Sequence, residues 1–309
     1  MVIPTWNKSH LTVGCLDALR AQTNRDVMEI WVVDNGSSDD TVAVVRREFP
    51  EVHLLEMGAN LGFSAAVNAG IRASSAPLVA LLNNDTVPAG DWAERLLAAA
   101  EEFPEFSLFA SLMLRADDPE VVDAAGDGFD LTRGNATSIA AGERVSLLPA
   151  TPQRVATPCA GAALYRRELF DRIGLFDERF FLVFEDVDLG VRAQVAGYDT
   201  LFVPAASVLH HRGASTNAAS PEYLRRFFRN RMWVLAKNLP LRALLPALTR
   251  FIYHDLRHLR GSRWAARGDY VRIPLFLAQV WPARRQVTAM RHTNWRTLRS
   301  HLVPGWRAL

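Results

Sequence analysis

"MEIWVVDNGSSDDTVAVVRREF" runs from Met28 to Phe49. It opens with an apolar run that stops at Asp34, Asn35 and Gly36. Asp39 and Asp40 then precede a segment in which Val42, Val45 and Phe49 share one face at helical spacing. Acidic residues favour a helix start, where unpaired backbone N–H groups point outward. The stretch reads as strand, polar turn, helix, and the same unit recurs through the first 115 residues. "MVIPTW" starts a short strand before a helix over about Leu11 to Ala21. "EVHLLEM" is a strand followed by the helix "GFSAAVNAGIRAS", and "APLVALLNND" is a buried strand followed by the helix "DWAERLLAAAEEF". "SLFASLML" closes the series as a strand. Such alternation predicts an α/β fold: a doubly wound, Rossmann-like, mostly parallel central sheet flanked by helices, with ligands at the carboxyl ends of the strands.

The chain has 309 residues and is 49% hydrophobic, enough for one large domain or two smaller ones with an ample core. Cys15 and Cys159 are its only cysteines and form no C-x-x-C pattern, which argues against a disulfide framework or zinc knuckle and fits a reducing compartment. No window holds 18 uncharged apolar residues, so no spanning helix is expected, and the N-terminus lacks a signal-peptide core. The formal net charge of +2 hides an asymmetry. Residues 221–309 hold 18 Lys+Arg against 3 Asp+Glu, while residues 1–220 hold 17 against 30. An acidic body thus carries a basic C-terminal region suited to an anionic partner: a membrane surface, a phosphorylated lipid or a nucleic acid.

Beyond the first 115 residues the pattern changes. Residues 116–155 read as an irregular, Gly/Asp-rich excursion over the site. "AGAALYRRELFDRIG" reads as helix ending at Gly174, and "TLFVPAASV" as strand. From Pro221 onward the chain reads as Arg- and Trp-rich helix, broken into short pieces by Pro240, Pro246, Pro274 and Pro282. In "YLRRFFRNRMWVLAKNLPLRALL" arginines alternate with aromatic and aliphatic residues, as in helices lying in a headgroup region; a docked helical unit with a solvated basic face is the alternative. The expected division is one domain over 1–220, with halves over about 1–115 and about 116–220, then a helical region over 221–309.

Three strands end in polar residues: Thr5 and Asn7, Asp34 and Asn35, and Asn83, Asn84, Asp85 and Thr86. One such end is an ordinary turn or cap; three in register suggest a ligand edge. Asp34 after an apolar strand can accept bonds from a base or ribose. Asp85 is the metal candidate of the first half, because Mg²⁺ or Mn²⁺ takes few protein ligands beside several diphosphate oxygens. His210 or His211 can complete such a shell. "FEDVDLGVR", Phe184 to Arg192, places Glu185, Asp186 and Asp188 at the end of an aromatic run. Burying such carboxylates without partners is costly, so they should meet solvent, a cation or a substrate. Asp188 and Arg192 have the i,i+4 spacing of an ion pair. A helix start favours the ionised form of these carboxylates at neutral pH.

Taken in order, "PTWN", "VVDNGSSDDT", "NLGFSAAVNAG", "LLNNDT", "CAGAALYRR", "FFLVFEDVDLGVRAQVAGY" and "VLHHRGAS" resemble the family-2 glycosyltransferases of GT-A fold, with rhamnosyltransferase-like and galactofuranosyltransferase-like members nearest. The resemblance covers about residues 2–235 and implies an inverting, metal-dependent hexosyltransferase of bacterial cell-surface polysaccharide synthesis. On it, Thr5, Asn7 and Asp34 would hold the nucleoside, and Asn60, Gly62 and Asn68 would shape the donor pocket. Asn83, Asn84 and Asp85 stand at the D-x-D position, with Asn83 replacing its first Asp; Asp85 and His210 would bind Mg²⁺ or Mn²⁺. Asp186 would be the general base, and Glu185 and Gly161 would face the acceptor. The donor would be dTDP-rhamnose or a UDP-sugar, and the acceptor a glycan or polyprenyl-diphosphate lipid. The enzyme would be cytoplasmic, peripheral on an anionic membrane, and would bind no nucleic acid. Only Met1, Val2 and Ile3 precede Pro4, fewer apolar residues than such chains usually carry, which fits a true start upstream of Met1. A nucleotidyltransferase would call for a basic, Gly-rich triphosphate loop early in the chain, which is not seen; a non-catalytic basic protein would leave the acids unused.

Overall fold

Strand and helix alternate from the first residues of the computed structural model: β1 (Val2–Thr5), α1 (Ser9–Arg20), β2 (Trp31–Asp34), α2 (Thr41–Glu48), β3 (His53–Glu56), α3 (Phe63–Ala73), β4 (Leu78–Leu82), β5 (Thr86–Pro88), α4 (Trp92–Glu102) and β6 (Leu108–Arg115). The structure describes residues 1–130, 134–212, 220–257, 271–303 and 305–306. The 116–155 excursion is more ordered than its composition suggests: it holds β7 (Val122–Ala124), β8 (Asp127–Asp130), β9 (Asn135–Ser138) and β10 (Gln153–Val155). β8 and β9 pair as a separate antiparallel ribbon. The stretch expected to be wholly helical is β11 (Ala162–Arg166) followed by α5 (Arg167–Ile173). Ala162 to Tyr165 are all buried, and a continuous apolar run carries no periodicity that separates strand from helix. Gly174 does stop α5, at φ 79°. α6 (Glu185–Ala196) and β12 (Thr200–His210) complete the sheet domain.

The sheet order is β10-β12-β6-β11-β4-β1-β2-β3. β3, β2, β1 and β4 run parallel; β11 is antiparallel to both β4 and β6, which returns β6 and its parallel neighbour β12 to the direction of β4. The carboxyl ends of β1, β2, β4 and β12 therefore lie on one edge. β5 runs antiparallel to β12 with Thr86 opposite His210, so Asp85 is carried next to His210. Helices cover both faces. Cys15, Leu16, Leu19, Val45, Trp92 and Leu96 pack on one, and Val67, Ile71, Phe170, Leu189 and Ala193 on the other.

α7 (Pro221–Asn238), α8 (Leu241–Arg257), α9 (Ile273–Ala289) and α10 (Trp295–Leu302) form the C-terminal region. Pro240 and Pro274 mark helix boundaries as expected, but Pro246 and Pro282 lie inside 17-residue helices. Burial of Leu244, Ala247 and Phe251 on the flanks of Pro246 holds α8 together despite the missing N–H. These helices share a core with Val187, Val191 and Val195 of α6, which explains why ten of the twelve α6 residues are buried. Lys237 on α7 reaches Asp188 on α6 at 2.7 Å, and Asp188 also accepts from Arg192 Nε at 2.9 Å, the pair expected from spacing. The basic region is thus docked on the sheet domain, and several of its cations are spent on carbonyls: Arg284 on Ala236 and Arg291 on Asn238. Among the described residues no helix is long and apolar enough to cross a membrane. Gly213 to Ser215 of "VLHHRGAS" and residues 258–270 and 307–309 of the basic region lie outside the described residues.

Candidate active site

At the carboxyl edge of the sheet the loops enclose a cavity of about 700 Å³, within the range of small-molecule sites. Thr5, Asn60, Gly62, Asn83, Asn84, Asp85 and His210, all singled out in the sequence, line it. Asn84 Nδ2 donates to the hydroxyls of Thr5 and Thr12, both at 3.1 Å, and so ties the end of β4 to β1 and α1. Asn60 Oδ1 accepts from the Gly62 N–H at 3.0 Å and from Asn35 Nδ2 at 3.2 Å. Gly62 sits at φ 91°, and a Cβ there would lie 2.6 Å from the Phe181 carbonyl oxygen. The residue must be glycine for both reasons.

Four expected binding residues are placed otherwise. The Asp34 carboxylate accepts the N–H groups of Gly36 at 3.2 Å and Ser37 at 3.1 Å, shaping its own turn, while Asn35 lines the cavity. Asn7, at φ 57°, accepts from Ser38 N at 2.8 Å and joins two loops without lining the cavity. Asn68 lies in the core: its amide donates to Phe176 O at 2.8 Å and accepts from Phe176 N at 3.1 Å, anchoring the segment that carries Phe181. Gly161 accepts from Asn83 N at 2.9 Å, so it supports the "LLNNDT" turn from behind.

Asp85 Oδ1 is 3.5 Å from His210 Nε2, and His210 Nδ1 is 2.6 Å from Asp123 Oδ2. Arg212 Nε holds the other Asp123 oxygen at 2.7 Å. A carboxylate on one ring nitrogen orients a histidine whose other nitrogen ligates a metal. Burial opposes charge on this ring, but hydrogen bonds to Asp123 and Asp85 outweigh it and raise the pKa to about 9. A positive charge is therefore favoured between these carboxylates, and one carboxylate with one imidazole suits Mg²⁺ or Mn²⁺. The described residues also hold a cluster of three possible ligands, Asp127, Cys159 and Asp186, with ligand atoms within 4.8 Å of one another. There, burial and then the charges of Asp127 and Asp186 push the Cys159 thiol well above its usual pKa. Sulfur is a soft donor and a poor match for a hard cation, whereas Asp85 and His210 fit one once the cation displaces the proton on His210 Nε2.

The loop before α6 is strained. Phe181, Val183 and Phe184 have φ of 66°, 63° and 70°, a region bulky residues rarely adopt. Asn230 of α7, fully buried, holds it by donating to the carbonyls of Phe180 and Leu182 at 3.0 Å and Val183 at 2.7 Å. Asp186 follows this loop. It does not line the cavity; its carboxylate accepts from Ala160 N at 3.2 Å and Val187 N at 2.7 Å, beside the Gly161–Asn83 contact. Burial, opposed by these N–H groups, raises its pKa, so a helix start does not by itself keep this acid in the ordinary carboxylate range. Glu185 is buried with Oε2 unpartnered, and burial, then Asp186, push it well above that range.

Sequence reasoning missed Asp123, Phe181 and the start of α7. Glu222, Tyr223 and Arg226 line the cavity, with Arg226 stacked 3.9 Å from the Phe181 ring centroid and paired with Glu222 at 2.5 Å. The Gly/Asp-rich composition of 116–155 was the available signal for Asp123; the α7 residues had none beyond the basic alternation.

A family model described as glycosyl transferase family 2 matches residues 1–174, and one described as glycosyl transferase family group 2 matches residues 131–302. The chain is 32% identical over 230 residues to the N-acetylglucosaminyl-diphospho-decaprenol L-rhamnosyltransferase of Mycobacterium tuberculosis, covering 68% of this chain and 74% of that protein. It is 26% identical over 236 residues to a PGL/p-HBAD biosynthesis glycosyltransferase of Mycobacterium bovis, covering 73% and 82%. A solved mannosyltransferase from Pyrobaculum calidifontis, in complex with GDP-Man and Mn²⁺, shares the fold with TM-score 0.53 at 18% identity, over 94% of this chain and 84% of that one. The chain belongs to glycosyltransferase family 2 and has the GT-A fold.

Proposed function

We propose that this glycosyltransferase moves a sugar, with inversion, from dTDP-rhamnose or a UDP-sugar to a glycan or a polyprenyl-diphosphate-linked acceptor in bacterial cell-surface polysaccharide synthesis. The observation that carries the reading is the Asp85–His210 pair at the cavity edge, backed by Asp123. Thr5, Asn35, Asn60 and Asn84 supply neutral polar groups around the nucleotide end of the cavity. A divalent cation held by Asp85 and His210 would offset the charge that builds on the departing diphosphate. Asp186 takes the proton of the acceptor hydroxyl as that oxygen attacks the anomeric carbon. Among the described residues, the carboxylates lining the cavity are Asp85, assigned here to the cation, and Glu222, paired with Arg226, so none of them is left as the nucleophile of a double displacement. The relative from Mycobacterium tuberculosis is named for a decaprenol-linked substrate, which favours a lipid acceptor.

The reading extends to a membrane surface. α8 and α9 expose Leu241, Leu245, Tyr253, Leu275 and Trp281 among the exposed Arg242, Arg250, Arg257 and Arg285. That mixture suits the anionic cytoplasmic face of a bilayer. The donor half is tested by calorimetry of UDP and dTDP with Mg²⁺ or Mn²⁺. The reading expects binding that weakens on chelation and in Asp85→Ala; equal binding in all three conditions would exclude this cation site.

A further inference from the structure

β8 opens on a carboxylate that the chemistry above leaves unused. Asp127 is buried, and its backbone is fixed by a reciprocal pair with Thr157: Asp127 N donates to Thr157 O at 2.8 Å, and Thr157 N to Asp127 O at 3.0 Å. Thr157 also presses on α6, where a Cβ at Gly190 would lie 2.3 Å from Thr157 Cγ2. One segment therefore positions both Asp127 and the helix that begins with Asp186. A carboxylate oxygen of each lies within 4.8 Å of the other and of the Cys159 sulfur.

Two carboxylates this close in a buried place do not readily ionise together. Their partners differ. Asp186 accepts two backbone N–H groups, at 3.2 Å and 2.7 Å. Asp127 accepts one side-chain donor, the Ser138 hydroxyl at 2.7 Å. More donors favour the charged form, so Asp186 ionises first. We propose that Asp127 and Asp186 form a carboxyl pair holding one proton, with Asp127 as its keeper, so that Asp186 is the single ionised member.

The inference rests on Asp186 being the base. Burial, then the charge of Asp186, carries the Asp127 pKa up to about 7, with Asp123 adding a smaller push. The other titratable neighbours are Cys159, a neutral thiol; Glu185, itself raised by burial and by Asp186; and Tyr165, whose phenol is pushed well above its usual range by burial and then by Asp186, and so stays neutral. In turnover the acceptor hydroxyl proton passes to Asp186 as the acceptor oxygen bonds to the anomeric carbon. The bond from that carbon to the diphosphate oxygen breaks, and its electrons leave with the diphosphate. Both carboxyls are then protonated, and Asp186 returns its proton to solvent.

The test is carboxyl ¹³C NMR of the full chain labelled at Asp, titrated in wild type, Asp186→Asn and Ser138→Ala, with Asp127→Asn used to assign the signal. The expected result is an Asp127 midpoint near 7 that falls by more than one pH unit in Asp186→Asn, where the like charge is gone. In Ser138→Ala, a mild change, it should rise, because the ionised form loses its donor. The wild-type kcat/KM profile should step near pH 7, and that of Asp127→Asn should not. An Asp127 midpoint that moves in neither variant overturns the pair. Midpoints that move as expected while Asp186→Asn turns over normally uphold the pair and refute Asp186 as the base.

Discussion

Lys237→Met tests whether the C-terminal helices are part of the same folded unit as the sheet. Lys237 is 4% exposed, and its Nζ lies 2.7 Å from both Asp177 Oδ2 and Asp188 Oδ2. Methionine keeps the apolar stem and removes only the charge. Losing one partner of a buried ion pair costs about 3–5 kcal/mol. Asp188 retains Arg192 and Asn238, and Asp177 retains Arg179, which places the cost at about 3 kcal/mol. At about 2.1 cal/mol/K of unfolding entropy per residue, that is a Tm fall of about 5 °C for this chain. Arg46→Met is the comparison: its pair with Glu56 is 62% and 43% exposed, and such pairs contribute about 0–1 kcal/mol. The pH dependence has a definite sign. Burial opposes the Asp177 charge, but hydrogen bonds from Arg179 and Lys237 outweigh it and hold this carboxyl below its usual range. Its contribution is therefore present above the unfolded carboxylate pKa and lost as pH falls through the lower folded one. Thermal melts by circular dichroism at neutral and acid pH read both effects. A Lys237→Met melt within about 1 °C of wild type, like that of Arg46→Met, would refute the buried anchor.

Asp186→Asn should lower kcat by roughly 10²–10⁴-fold, the range for a lost general base, with donor affinity near wild type by calorimetry. Glu185→Gln should cost less and mainly raise acceptor KM; the reverse ranking would put the base on the wrong neighbour. Asn230→Ala removes the amide that donates to three carbonyls of the strained loop, and should cost about 2–3 kcal/mol in urea unfolding and depress kcat. Unchanged unfolding would mean that the loop holds itself. Vesicles with anionic lipid should bind the full chain, and salt should weaken that binding because exposed charges are screened. Equal flotation with neutral vesicles would exclude an electrostatic contact.

The strand ends were legible because each is a local signal. An apolar run followed by Asn, Asp and Gly marks where a parallel strand stops, and the edge follows from topology. β11 was hidden because Ala162–Tyr165 is buried on all sides and shows no period. Its antiparallel insertion also carries Gly161 to the turn after β4. The roles of Asp34 and Asn68 depended on which neighbours reached them first: the Gly36 and Ser37 amides, and the Phe176 backbone. Asp123 and Arg226 come to the His210 and Phe181 sides of the cavity from segments about 100 residues apart, and local sequence does not report such convergence. For Asp186, the sequence argument took the acids to be solvated or partnered and let the helix start, worth about 0.3–1 kcal/mol, decide the ionised form, whereas burial raises the pKa.

The central claim, nucleotide-sugar transfer at the Asp85–His210 cavity, is tested most directly by a donor panel. dTDP-rhamnose and UDP-sugars would each be incubated with a polyprenyl-diphosphate-linked acceptor and a divalent cation, and released nucleotide and product read by mass spectrometry. The account predicts that one donor yields both product and nucleoside diphosphate with wild type, and that EDTA or Asp85→Ala abolishes both. Undiminished product in EDTA and in Asp85→Ala would contradict it.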